Sequence, residues 1–246
     1  FPPYLVLIIS FISGLLAGLV TGLLHTLLGI PDILAGILTQ IALYSVNLNI
    51  MGKANQAVSV DRFDLVVSLR YISQAIVVGA IFLIVIIALL YWFFGTEQGF
   101  TIRATGCNQE MARAQGISTN KAKVVGLALG NGLVGLSGAL VAQYSGNADV
   151  NMGRGAIVIG LAAVIIGEVI GNAVFRKRMN FALKLFFAAM GAVIYYLVIT
   201  FVLWIGLSSQ NLKLFSAIVV AVFLAVPYLK SKYSTSFMKA AKKGAE

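Results

Sequence analysis

The sequence predicts an all-α protein, a polytopic bundle of about six to seven membrane helices with one short helix outside the bilayer. Mean hydropathy is +0.96, only 11% of the residues are charged, and apolar runs of membrane-spanning length follow one another almost end to end. A water-soluble domain would carry roughly 25% charged residues. The net charge of +10 does not point to nucleic acid. The basic residues sit at the ends of apolar runs and in the tail, without the aromatic interleaving of a base-stacking surface, so they read as an orientation signal.

A helix crossing about 30 Å of hydrocarbon needs roughly 20 apolar residues. Six segments meet or approach that length, over residues 4–28, 32–47, 75–94, 124–144, 155–175 and 181–207, and a further apolar run covers 212–229. The first is too long for a signal peptide and lacks a basic n-region. The second is short and contains Gln40, which predicts a tilted, broken or partial crossing. Placing residues 95–123 in the cytoplasm puts Arg103, Arg113, Lys121 and Lys123 inside. Successive crossings then bring Arg176, Lys177, Arg178 and the tail from Lys230 to Lys243 to the same side, as the positive-inside rule requires. Counting back places Phe1 outside. With no initiating Met, the expectation is that an odd number of spans precedes it in a longer protein. Tyr4, Tyr91, Trp92, Tyr144, Trp204 and Tyr228 fall near the expected interfaces.

Small residues indicate how the spans pack. Ser10, Gly14, Gly18 and Gly22 recur every four positions, as do Gly126 with Gly130 and Gly167 with Gly171. Such ridges let helix backbones approach closely in lipid, for packing alone or to line a moving face.

Catalytic signatures are missing. There is no phosphate-cradling G-x-x-x-x-G-K-[ST] loop and no H-E-x-x-H, and the single His and single Cys rule out a Cys-rich metal site or an intrachain disulfide. The chain is therefore expected to bind no cofactor and no metal and to have no catalytic residues. His25 reads as an interfacial histidine or, alternatively, a ligand or proton relay. Polar groups inside apolar runs are costly in hydrocarbon and turn toward a bundle interior or water. Thr39, Gln40, Asn131, Gln143 and Glu168 are such groups, and the last four are the candidate translocation-path residues. Glu168 has two open roles, a structural hydrogen bond or ion pair and a part in gating. The Tyr195 and Tyr196 hydroxyls, in mid-span, call for interhelical partners or a substrate. No span holds the charge of an ion pump or voltage sensor, so the cargo is a polar organic solute.

The stretch RATGCNQEMARAQGISTNKAK, residues 103–123, interrupts this pattern. Asn108 is a good N-cap, Glu110 lies in the first turn where the helix dipole favours an anion, and Gly116 followed by Ile117 supplies a C-terminal stop. That predicts a helix of about two turns, with new caps at Ser118–Asn120 before the next span. So short a helix is not stable alone. Met111, Ala112, Ala114 and Gln115 must pack either on their own spans or on another protein.

Together with GFTIRATGCNQEMARAQGIS (99–118), the run GLALGNGLVGLSGALVAQYSGNADVNMGRGAIVIGLAAVIIGE (126–168) resembles the permease subunit of bacterial ABC importers of the branched-chain amino acid and ribose class. It is closest to the subgroup of tryptophan or aromatic amino acid permeases. The segment GLLAGLVTGLLHTLLGIPDILAGILTQIALYSVNLNIMG (14–52) is similar to that subgroup's earlier spans. The resemblance covers about residues 5–227 and is most specific over 99–168. It implies one transmembrane permease domain over 1–229, with a coupling-helix loop at about 99–121, and a basic cytoplasmic tail over 230–246. By the same resemblance, Asn108, Gln109, Glu110, Met111, Ala112, Arg113, Ala114, Gln115, Gly116 and Ile117 form the helix that docks on a cytosolic ABC ATPase. ATP and magnesium would be held by that ATPase. The implied partners also include an extracytoplasmic solute-binding protein, a second permease copy in a homodimer, and lipid of the bacterial cell membrane; nucleic acid is not among them. The implied cargo is an amino acid, aromatic by the subgroup, moved by alternating access. The family's N-terminal span or two, with its glycine-containing polar motif, has no counterpart in this sequence. An ATP-independent transporter or channel is the rival reading.

Overall fold

The computed structural model describes residues 2–58, 65–153, 155–175, 180–204 and the single positions 214, 217, 218, 221 and 225. The basic cluster at 176–178, most of the run at 212–229 and the tail at 230–246 lie outside the described residues. The chain divides into two compact units, residues 1–153 and 154–246.

In the first unit, α1 (Pro3–Leu27) and α2 (Asp32–Met51) form an antiparallel pair, α3 (Ile72–Phe94) follows, then two short helices α4 (Glu97–Cys107) and α5 (Gln109–Ala114), then α6 (Thr119–Ser145). Two three-residue strands, β1 (Asn55–Ala57) and β2 (Asn147–Asp149), pair antiparallel with Gln56 opposite Ala148. This small ribbon, absent from the all-α expectation, ties the end of α2 to the end of α6. The second unit pairs α7 (Ala156–Phe175) with α8 (Phe181–Trp204). Among the described residues five helices are long and apolar enough to cross a membrane, and α7 contributes a shorter apolar stretch. The chain is a multi-pass membrane protein.

The second apolar run is longer than expected. α2 continues without a break for 20 residues, about 30 Å at 1.5 Å per residue. It stops at Gly52, whose φ of +69° only glycine adopts cheaply and whose N–H closes on the Leu48 carbonyl at 2.9 Å. Gln40 is exposed and does not interrupt it. Inside the α1–α2 pair the Thr21 hydroxyl donates to Thr39 at 2.9 Å, and the Thr39 hydroxyl donates to the Ala35 carbonyl of its own helix. Both threonines are buried and satisfied.

The four-residue ridge on α1 meets α6 backbone to backbone. A side chain at Gly14 would collide with the Asn131 carbonyl and Gly132 Cα, one at Gly18 with the Leu127 carbonyl and Ala128 Cα, and one at Gly22 with Val124 Cα. Ser10 completes the ridge by donating its hydroxyl to the Gly135 carbonyl at 2.5 Å. The opposing surface is not the Gly126–Gly130 pair. A Cβ at Gly130 meets nothing within 4 Å, and one at Gly126 only a methyl of Ile102. Helical geometry explains this: with Val124, Leu127, Asn131 and Gly135 at three- and four-residue spacing facing α1, positions 126 and 130 point elsewhere.

In the second unit Gly167 rests on the Phe187 carbonyl and Gly191 on the Ala163 carbonyl, so this pair too approaches backbone to backbone. Tyr195 is 1% exposed in a cluster with Ala162 and Ile166, and among the described residues its hydroxyl has no partner. Tyr196 is exposed.

Gly18→Leu is expected to destabilise the first unit by at least the 1–3 kcal/mol typical of overpacking, because backbone rather than a movable side chain stands in the way. Thermal unfolding in detergent reads this, and an unchanged profile would show that the face looks at lipid. Gly130→Leu, with open space beside it, is the control.

Candidate coupling segment

The polar segment is built from two helices. Thr96 begins the first: its hydroxyl donates to the Phe93 carbonyl at 2.6 Å and accepts from the Gly99 N–H at 3.4 Å. α4 then leaves α3 so closely that a Cβ at buried Gly99 would strike Phe94 Cα. α4 is not foreseen from the sequence, because EQGFTIRATGC has two glycines, two threonines and no apolar period, all weak helix signals. Thr96 followed by Glu97 was the available sign, a capping residue and an acid in the first turn. Packing along α6 stabilises what propensity does not.

Asn108 serves both helices. Its N–H bonds to the Ala104 carbonyl and ends α4, while its side-chain oxygen accepts from the Met111 N–H at 3.0 Å and starts α5. The far end is a full Schellman closure. Ile117 N–H reaches the Ala112 carbonyl at 3.0 Å, Gly116 N–H reaches the Arg113 carbonyl at 2.9 Å, and Gly116 has φ +79°. Both predicted stops are therefore in place around a six-residue helix. Ser118 precedes α6 as its capping residue but makes no side-chain cap bond.

α5 has two faces. Ala112 is 3% exposed, and the Arg113 Nε donates to buried Thr119 at 3.0 Å, seating the helix on the start of α6. Met111, 64% exposed, stands outward together with Gln109, Glu110, Ala114 and Gln115. The choice between packing on its own spans and packing elsewhere is thus divided by residue: Ala112 turns to the chain, Met111 away from it.

The three candidate path residues of the first unit, Gln40, Asn131 and Gln143, do not gather at one point. Gln40 is exposed on α2. Asn131 lies at the α1–α6 seam, its side-chain amide bonded to the Leu127 carbonyl of its own helix at 2.9 Å. Gln143 is buried at the other end of α6, where it donates to the Pro3 carbonyl at 3.3 Å and accepts from the Val66 N–H at 3.1 Å. Glu168 is exposed on α7 in the second unit.

A cluster the sequence reading did not assemble lies beside α5. His25 Nδ1 is 2.7 Å from Asp32 Oδ1 and 2.8 Å from the Ile30 carbonyl, and Lys123 Nζ is 3.1 Å from His25 Nε2. An ammonium only donates, so Nε2 accepts and Nδ1 carries the ring proton toward Asp32 or Ile30. The three residues are 98 positions apart at the extremes; the short turn after α1 brings Asp32 to His25, and the packing of α1 on α6 brings Lys123 to them.

The family described as branched-chain amino acid transport system permease components matches residues 1–227. The chain belongs to that permease family. It is 37% identical over 223 residues to a tyrosine transport system permease protein of Clostridioides difficile (strain R20291), covering 91% of this chain and 72% of that protein. It is 32% identical over 226 residues to an uncharacterized protein of Rickettsia prowazekii (strain Madrid E), covering 89% of this chain and 77% of the relative. No solved structure matches. The permease therefore carries its polar α4–α5 segment inside the matched region.

Gly116→Ala is expected to cost about 1–2 kcal/mol through the left-handed backbone alone. Hydrogen exchange should speed up roughly tenfold over residues 109–117, with the amides of α1 and the rest of α6 unchanged. Uniform exchange across the first unit would mean that α5 is not an independently capped element.

Proposed function

We propose that this permease is the translocation subunit of an ATP-driven importer that brings an amino acid, aromatic in character, into the cell. Its match to the amino acid permease family over residues 1–227 carries this reading, and the tyrosine system relative supports the aromatic substrate. Two copies would enclose the path, with an extracytoplasmic binding protein on one side and ATPase subunits, which hold ATP and magnesium, on the other. The end bearing α5 faces the cytoplasm in this reading, as does the basic tail.

Coupling then has a physical route. A push on the outward face of α5 passes through the shared Asn108 into α4, and through the Arg113–Thr119 bond into α6. α6 is fixed along its length to α1 by contacts between backbones, which leave little slack. Closure of the ATPases would thereby reorient spans rather than deform a loop, and alternating access follows.

Orientation has a direct test. Cys107 is free and exposed, so a membrane-impermeant thiol reagent should label it in inside-out vesicles and leave it unlabelled in intact cells. Labelling in intact cells reverses the topology.

The coupling role is tested by Met111→Glu with Ala114→Glu. Both positions are exposed and both replacements keep good helix formers. Two carboxylates in a partner's groove cost a few kcal/mol to desolvate. The variant should insert normally, lose the ATPase on purification and lose ATP-dependent uptake. Normal copurification with normal uptake would show that α5 only joins two spans, and uptake independent of internal ATP would favour a secondary transporter or channel.

A further inference from the structure

At the end of the first unit that bears α5, a cleft of about 320 Å³ opens between the α1–α2 turn, α4 and α6. Its charged rim is the His25–Asp32–Lys123 cluster, and Thr105 and Gln109 add polar groups. The remaining wall is apolar, made mainly by Ile102, Ala122 and Leu127, with Gly126 opening the space. The volume lies at the small end of ligand pockets, which run from roughly 300 to 1,000 Å³, and so fits one small molecule rather than a peptide.

The rim keeps two opposite charges apart. Lys123 and Asp32 do not bond each other; the imidazole of His25 stands between them and bonds to both. Lys123 spends one of its three protons on His25 and has two left. Asp32 uses one carboxylate oxygen on His25, its side chain is 74% exposed, and its other oxygen has no bond among the described residues. A cation donor and an anion acceptor, one ring apart at the mouth of an apolar cleft, are complementary to a molecule with its own carboxylate and ammonium a few bonds apart and an apolar group beyond them. Charge-assisted bonds at both ends fix such a molecule's orientation.

From this geometry we infer a binding subsite for a free zwitterionic amino acid with an apolar or aromatic side chain. Its carboxylate lies on Lys123, its ammonium on Asp32 and its side chain in the cleft against Ile102 and Leu127. The inference rests on the amino acid importer reading and deepens it by placing a second contact point for the cargo at the α5 end, outside the four candidate path residues. Because the cleft is lined by Gln109, the first residue of α5, occupancy ties the α1–α2 turn to α4, α5 and α6. Accumulated product would then hold the coupling segment in place.

The same charge pair suits the phosphate and ammonium of a phosphatidylethanolamine headgroup, and the experiment separates the two sources. The full permease is placed in nanodiscs of phosphatidylglycerol, with and without phosphatidylethanolamine, and equilibrium binding of L-tyrosine is measured. The wild type should bind L-tyrosine equally in both lipids. Tyramine, lacking the carboxylate, and 3-(4-hydroxyphenyl)propanoate, lacking the ammonium, should each bind at least tenfold more weakly.

Lys123→Met and Asp32→Asn should each weaken L-tyrosine at least tenfold, and Lys123→Arg should retain most of it. Gly126→Leu fills the cleft without touching a charge, and its first carbon meets only an ordinary contact with Ile102. Its loss of binding therefore reports on the site even if a charge variant fails to fold. No binding by the wild type, or binding unaffected by Gly126→Leu, overturns the subsite. Loss of L-tyrosine binding on adding phosphatidylethanolamine assigns the cleft to lipid and also overturns it. The importer reading is judged separately, by ATP-dependent uptake.

Discussion

Two helices in a bilayer gain nothing by hiding apolar surface from one another, because lipid is as apolar as leucine. α1 and α6 are instead joined by close approach: the ridge Ser10, Gly14, Gly18 and Gly22 presents no bulk, and the backbone of α6 lies directly on it. Dispersion over that length, with the Ser10 hydroxyl bonded to the Gly135 carbonyl, makes the seam. Phe11 and Leu15 lie against Gly132 of α6, while Ile8, Ile12, Leu16 and Val20 are exposed as lipid contact requires. The same solution recurs in the second unit, where Gly167 and Gly191 bring α7 and α8 together.

The seam also decides what meets at the α5 end. Holding α1 against α6 brings His25 to Lys123, and the short turn after α1 brings Asp32 to the same point. α4 packs along the first turns of α6, and α5 closes onto Thr119. The polar segment is therefore anchored on both flanks, by Thr96 and Gly99 at the elbow after α3 and by Arg113 at the start of α6. A short helix that would melt alone gains a fixed position from those attachments. The remaining outward face, led by Met111, is the part free to meet another protein.

Local signals were legible where one residue's chemistry dictates one conformation. Asn108 caps because its side-chain oxygen reaches an N–H three residues on, and Gly116 stops the helix because its φ is positive. α4 was not legible, since its stability comes from α6 and not from its own threonines and glycines. Polar residues inside apolar runs were found, but their partners were not. Gln143 bonds to the Pro3 carbonyl, 140 residues away in the chain, and to the Val66 N–H. Asn131 bonds within its own helix, and nothing in a linear pattern separates the two cases.

The sequence by itself determined the class of the protein, the approximate positions of the spans among the described residues, the two caps of α5 and the small-residue face of α1. Each of these follows from composition, or from contacts within about four residues. Only the tertiary structure decided which face of α6 receives α1, that Gly130 is left in open space, that α2 continues to Met51, and that His25, Asp32 and Lys123 form one cluster beside the α4–α5 segment. Helix pairing in lipid is chosen by the shape of two surfaces at once. A repeat of glycines marks where a backbone can come close, and the other helix determines whether it does.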